Sequence, residues 1–326
     1  MITVLVVFGV GFLVTSVLTP KLIPKLFEAD LTGRDKNKVG EPLVAEMGGL
    51  CVIAGFVVAV LLAVAFSSFQ VLEQVVDFKI NLTSLFAALS TVLIMSLLGI
   101  FDDIFDIKQH VKAALPLIAS LPLVAINVGE TSMNLPFVGP VDFGILYPLL
   151  LIPFAITGAS NAMNMLAGFN GLEAGLGAIM CLAVGIVSWH AGSMEASVIS
   201  FAMLGALLAF LRFNWFPARI LPGDVGTLSI GAAVAAAVIV GNIEKLGIIL
   251  ILPFFGELYL KMRSRFKAES WCGRRGVKLV CPNRREVYGL GRLVMHLFGG
   301  ITERNLVVVL LSVEAVFAVV GVSLYF

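Results

Sequence analysis

Charge is what this chain of 326 residues has least of: 13% of it is Asp, Glu, Lys or Arg, against 59% hydrophobic. The formal net charge of +1 carries no information about partners, and no nucleic-acid partner is expected. Cysteine is scarce too. Cys51, Cys181, Cys272 and Cys281 show no CxxC spacing, so neither a zinc cluster nor a disulfide framework is expected. Cys51 and Cys181 lie in apolar runs and read as packing residues. The three histidines, His110, His190 and His296, are scattered without ligand spacing. No Gly-Lys-Ser/Thr follows any glycine-rich turn, which excludes a P-loop. There is no fixed-period repeat and no low-complexity tract. The first apolar segment has neither a basic n-region nor a small-residue cleavage site, so it reads as a retained span and not a signal peptide.

What remains is apolar sequence. Mean hydropathy is +1.03, far outside the soluble range. Ten apolar stretches recur, near 2–19, 43–66, 84–100, 113–128, 143–160, 172–190, 197–211, 225–242, 246–262 and 305–325. Most have the length of a bilayer-crossing helix; 143–160 is weakened by proline and 197–211 by shortness. The expected architecture is an all-α integral membrane protein of about ten transmembrane helices. It forms one polytopic domain, 1–326, with a cytoplasmic excursion at about 263–303. With the N-terminus outside, every Lys and Arg except Lys79 and Lys245 falls in an inner loop. That positive-inside bias sets the orientation, with both termini outside in a multi-pass cell-membrane protein.

The same parity puts every polar constellation on the cytoplasmic face. In 99-GIFDDIFDIKQHVK-112, Asp102 and Asp103 end an apolar run, and Asp106 and Lys112 follow. Adjacent carboxylates repel unless a cation or proton lies between them, and the hard cation suited to them is Mg²⁺. The alternative is a solvated loop with an internal salt bridge. In 157-TGASNAMNMLAGFNGLEAG-175, Asn161 and Asn164 share a helical face and Asn170 sits in a glycine-rich turn. Such amides hold a metal or a base and sugar, or simply bond neighbouring helices. In 214-NWFPARILPGDVGT-227, Asp224 opens a span, where an N-cap explains it as well as a metal does. In 30-DLTGRDKNKVGEPLVAEMGG-49, mixed charges precede Glu46, just inside the second span, in a loop suited to contact lipid head groups or to close over a nucleotide. The excursion is strongly basic, as in 261-KMRSRFKAESWCGRRG-276, which suits a diphosphate or anionic membrane lipids. A proton- or cation-coupled transporter is the rival from another class, although its charges would more usually sit at the midplane.

Taken together, DD…K, NAMNMLAGFNGLEAG, NW-P-R-x-GD and the late ERNL resemble the polyprenyl-phosphate N-acetylhexosamine-1-phosphate transferases. The branch that includes dolichyl-phosphate N-acetylglucosaminephosphotransferase is the nearest in pattern, in an archaeal form. The resemblance implies ten helices around a cytoplasmic groove. It also implies attack of a polyprenyl (dolichyl) phosphate on the β-phosphorus of UDP-GlcNAc, giving lipid-diphosphate-sugar and UMP with Mg²⁺ or Mn²⁺. Another UDP-N-acetylhexosamine is the alternative donor. By that resemblance Asp102 and Asp103 match the catalytic acid pair and Lys112 the phosphate-contacting lysine. Asn164 and Asp224 match the metal ligands, Asn170 a uridine contact and Glu46 a residue near the nucleotide. Asn161 is placed with the substrate-binding residues. Asp106 stands where eukaryotic members tend to carry Asn. For the last loop, Arg263, Arg265 and Lys267 are the basic candidates, with Arg274 and Arg275 the other option. Relatives of this kind are often homodimers.

Overall fold

The computed structural model describes residues 2–69, 80–105, 107–135 and 139–326. Lys79 and Asp106, both singled out above, lie outside the described residues. In chain order the helices begin with α1 (Ile2–Glu28), α2 (Gly49–Ser68) and α3 (Leu82–Phe105). A broken run follows: α4 (Gln109–Ala114), α5 (Pro116–Ala119) and α6 (Leu121–Ala125). Then come α7 (Ile152–Met165), α8 (Leu172–His190), α9 (Met194–Asn214), α10 (Gly223–Val240), α11 (Glu244–Arg263), α12 (Leu290–Leu297) and α13 (Glu303–Ser323).

Seven of these, α1, α2, α3, α8, α9, α10 and α13, are long and apolar enough to cross a membrane. The other three expected segments are helical but fall short in unbroken length or in apolarity. Residues 113–128 are interrupted at Pro116 and Pro122, each at the start of a new short helix, because proline cannot supply the N–H that continues a helix. Residues 143–160 open as a π-helical turn, Tyr147–Leu151, before α7. α11 contains Pro253 and buries Glu257 and Lys261.

The packing follows from small residues. α10 reads GDVGTLSIGAAVAAAVIV and is buried along nearly its whole length, against α2, α3, α7, α8, α9 and α11. A helix buried on all sides has no amphipathic stripe, and glycine and alanine let its neighbours approach closely. A Cβ placed on Gly49 of α2 would lie 2.3 Å from the backbone nitrogen of Gly226. One placed on Gly99 of α3 would lie 2.5 Å from the Cα of Val225. The α3–α10 seam continues one turn on as a hydrogen bond between the Ser96 and Ser229 hydroxyls, 2.9 Å.

Three small antiparallel sheets occupy the connections. β1 (Thr32–Arg34) pairs with β2 (Leu43–Ala45), and β3 (Ser132–Leu135) with β4 (Gly139–Asp142). β5 (Gly273–Arg275), β6 (Lys278–Val280) and β7 (Ile301–Thr302) form the third. Ala45, at the end of β2, also bridges Ile220 in parallel, and Leu221 N–H donates to the Ala45 carbonyl at 2.8 Å. That contact draws the loop before α2 onto the residues that open α10.

Candidate active site

Five of the expected residues meet at the first turn of α10. Gly223 precedes Asp224 with φ of 67°, a conformation that glycine takes at little cost. A side chain there would also strike Asp103, 2.7 Å from the would-be Cβ. Asp103 lies one turn beyond Gly99 on the α3 face that touches α10. Its Oδ1 accepts from the Asp224 N–H at 2.7 Å and its Oδ2 from the Val225 N–H at 3.0 Å. Both oxygens therefore cap the N-terminus of α10, whose exposed N–H groups and dipole favour an anion. Asp102, the other half of the pair, is turned away by the helical step. Its Oδ1 accepts from Ile107 N–H at 3.0 Å, and its Oδ2 is ion-paired with Lys112.

Asp224 is the hub. The Lys112 ammonium bridges its Oδ2 and Asp102. Asn164, at the end of α7, donates from Nδ2 to Asp224 Oδ1 at 2.8 Å. Burial works against the charge on Lys112, but Asp224 and Asp102 outweigh it and hold the ammonium above the ordinary lysine value. Glu46 extends the acidic group from the β2 side. Burial, and then the Asp224 charge, raise its carboxyl above the ordinary range.

An open cleft of about 400 Å³ adjoins this cluster. Glu46, Asp103, Asn164, Asn170 and Asp224 line it, together with Arg34, Lys36 and Trp271. Asn170 is buried with its polar atoms bonded to protein. Its Nδ2 donates to Asp35 at 3.1 Å, its Oδ1 accepts from Ala218 N–H at 2.9 Å and its backbone N–H donates to Glu303 at 2.8 Å. Asn161 donates from Nδ2 to Thr157 O at 3.0 Å and Ala113 O at 3.2 Å, tying α7 to α4. Arg263, Arg265 and Lys267 do not line the cleft. Arg263 instead donates to Val287 O at 3.4 Å. The basic side chains at the cleft come from the first loop: Arg34, and Lys36, whose ammonium lies 4.3 Å from the centre of the Trp271 ring.

Sequence reasoning missed the knot behind that wall. Lys38 is ion-paired with both Asp35 and Glu303, and Asn37 Nδ2 donates to Gly168 O at 2.7 Å. The signal lay in 30-DLTGRDKNK-38 and 303-ERNL-306, motifs whose partners are remote in sequence.

No group of three or more His, Cys, Asp and Glu ready to hold a metal occurs among the described residues. The donors do fit a hard cation that keeps water and phosphate as its remaining ligands: carboxylates on Asp224 and Asp102 and an amide oxygen on Asn164. The orientation of the Asn164 amide is an assignment, and turning it would point its oxygen toward the cluster. Lys112 already supplies positive charge between the carboxylates, which is the demand a metal would meet.

Asp103→Asn tests the capping geometry. An amide keeps one acceptor and sets an NH₂ against the other N–H. The expected result is a loss of about 1 kcal/mol in stability, by thermal denaturation in detergent, with a larger loss of activity as Asp224 shifts. Full activity with unchanged stability would remove Asp103 from the site's support.

A family model described as glycosyl transferase family 4 matches residues 85–242, which include all five clustered residues. A Saccharolobus solfataricus protein, provisionally named as a UDP-N-acetylglucosamine–dolichyl-phosphate N-acetylglucosaminephosphotransferase, is 36% identical over 97% of this chain and 94% of its own. The Dictyostelium discoideum protein of that name is 28% identical over 96% of this chain and 86% of its own. A Clostridium perfringens phospho-N-acetylmuramoyl-pentapeptide-transferase is 30% identical over 77% of this chain and 78% of its own. Shared sequence of this extent, together with the apolar helices, makes the chain a multi-pass membrane protein of glycosyl transferase family 4, a transferase and not the cation-coupled carrier that its acidic pair also allowed.

Proposed function

We propose that the chain transfers N-acetylglucosamine-1-phosphate from UDP-GlcNAc to a polyprenyl (dolichyl) phosphate, the opening step of lipid-linked glycan assembly. The carrying observation is the cluster of Asp102, Asp103, Lys112, Asn164 and Asp224 beside a polar cleft, with an apolar cleft reaching the same end of α7. That second cleft, about 540 Å³, is lined mainly by α7, α10 and α11 and by the π-helical turn before α7, and reaches from Tyr147 and Glu244 to Met165 and Leu258. Met165 adjoins Asn164, so a prenyl tail lying in this apolar cleft brings its phosphate toward the cluster. The relatives' names support the same donor and acceptor.

The chemistry joins two anions. An oxygen of the lipid phosphate attacks the β-phosphorus of the UDP-sugar, and the bond from that phosphorus to the bridging oxygen breaks, releasing UMP. The sugar C1–O bond survives, so the anomer is kept. Asn164 and Asp224, with Asp102, would hold Mg²⁺ or Mn²⁺, which when bound supplies charge neutralisation to the diphosphate. Lys112 offers its ammonium to the same phosphate charge, and Asp103 fixes where Asp224 stands. Glu46 and Asn170 border the nucleotide, the latter through the loop it anchors. Arg34 and Lys36 add positive charge to the cleft wall, a role the sequence reading gave to the last loop.

In this reading all ten helical segments cross the bilayer as one domain with the N-terminus outside. The charged loops, the excursion at 263–303 and the cluster face the cytoplasm of a cell membrane, and a homodimer is the assembly the family resemblance implies. The test is UMP release from UDP-GlcNAc by detergent-purified protein given dolichyl phosphate and Mg²⁺. Release is expected to require the lipid, to stop in EDTA and to return with Mg²⁺ or Mn²⁺. Release from a different UDP-N-acetylhexosamine alone would move the donor, and undiminished release in EDTA would remove the metal.

A further inference from the structure

Their spacing offers no reason to pair the cysteines, but the fold brings two of them face to face. β5 and β6 form a hairpin closed by Gly276 and Val277, between Arg275 and Lys278. Gly276 has φ of 62°, as the first central residue of a two-residue hairpin turn requires, and that turn fixes the register. The ladder ends with Gly273 opposite Val280, and its register carried one residue further sets Cys272 opposite Cys281. Hydrogen-bonded and non-hydrogen-bonded pairs alternate along an antiparallel ladder. Arg275 and Lys278 flank the turn as a hydrogen-bonded pair, which makes Cys272 and Cys281 a non-hydrogen-bonded one. Cα atoms in such pairs are about 4.5 Å apart, within the span of a disulfide.

The sulfurs converge as well as the backbones. The Cys272 thiol donates to Glu286 Oε2 at 3.7 Å and the Cys281 thiol to the Glu286 carbonyl at 3.8 Å. Both cysteines are free, Cys281 buried and Cys272 partly exposed. Burial, with Cys272 beside it, pushes the Cys281 thiol up to about 12. Cys272 is therefore the sulfur that meets an oxidant first, and Cys281 the one that resolves.

We propose that Cys272 and Cys281 are an oxidation site, a dithiol that closes to a cross-strand disulfide on reaction with a small-molecule disulfide. The Cys272 thiolate attacks one sulfur of the oxidant, forming a mixed disulfide and releasing one thiolate. The Cys281 thiolate then attacks the Cys272 sulfur and expels the second. The two protons lost by the protein thiols end on the two released thiols, and the oxidant is reduced by two electrons.

The bond would staple the hairpin that begins beside the cleft. Trp271, the residue before Cys272, lines the cleft beneath Lys36, and Arg274 donates to the Lys38 carbonyl. A stapled hairpin holds Trp271 in place before ligand arrives, so the oxidised protein has the lower KM for the nucleotide sugar. This consequence rests on the substrate reading above; the disulfide itself does not.

The experiment treats the full-length protein in detergent with excess oxidised glutathione, denatures it, counts free thiols and maps cross-linked peptides. Two of the four thiols are expected to disappear, with a 272–281 cross-link that dithiothreitol reverses. C272S or C281S alone should prevent the cross-link. Four thiols surviving the oxidant, or a stable glutathione adduct on Cys272 with Cys281 still free, would overturn the proposal. A disulfide that forms without lowering KM would overturn its link to the cleft.

Discussion

Asp224→Asn is expected to lower kcat for UMP release about a thousandfold, the scale of losing one group aimed at developing charge. Asp224 is the residue that Lys112 and Asn164 both grip, at 2.5 Å and 2.8 Å. Asparagine is nearly isosteric, so the cleft keeps its shape, but the amide carries no charge for Lys112 or for a metal. Lys112 keeps Asp102 as a partner, and thermal denaturation should show only a small change. Asn161→Ala is the contrasting variant, because Asn161 bonds helix carbonyls and does not touch the cluster. Its kcat should remain near wild type. Equal activity in the two variants would displace Asp224 from the centre of the reaction.

The second large effect comes from a residue with no side chain. Gly99→Val should destabilise the folded protein by about 3 kcal/mol, the upper range for overpacking, read as an early thermal transition in detergent. The would-be Cβ lies 2.5 Å from the Cα and 2.6 Å from the nitrogen of Val225, so α3 and α10 must part. Parting also stretches the two bonds from Asp103 to the start of α10, and activity should fall with stability. Ser96→Ala, one turn away, removes the hydroxyl contact with Ser229 and a bond to the Val92 carbonyl of its own helix. Interhelical hydrogen bonds of this kind contribute about 0.6 kcal/mol on average. If Gly99→Val were as mild as Ser96→Ala, close approach of the two helices would not be what sets the site.

Most of the candidate cluster was legible because its members lie at helix ends on one predicted side. Asp102 and Asp103 close an apolar run, Asn164 ends α7 and Asp224 opens α10. Charge parity predicts such ends on one membrane face. Legibility failed where the information is long-range. Asn170 lines the cleft, but the partners that hold its side chain, Asp35 and Ala218, are ones that no local spacing reveals. The basic wall was sought in the excursion, where Arg and Lys are dense, whereas Arg34 and Lys36 reach the cleft from a loop that is far less basic. The cysteines were read by CxxC spacing, and a hairpin pairs residues that this rule ignores. The breaks at Pro116 and Pro122 were visible as prolines but were overridden by the length of the apolar run.

The knot of Lys38, Asp35, Asn170 and Glu303 bears on how the protein is made. Its first members leave the ribosome early, while Glu303 arrives with the final helix. Chains fold progressively during synthesis, so through most of that time Lys38 lacks the Glu303 carboxylate and the Asn170 N–H lacks its acceptor. Buried groups left unsatisfied are costly. The nascent chain can therefore assemble its acidic cluster well before it can set the cleft wall, and a product truncated ahead of α13 would carry the catalytic acids on an unfinished nucleotide cleft.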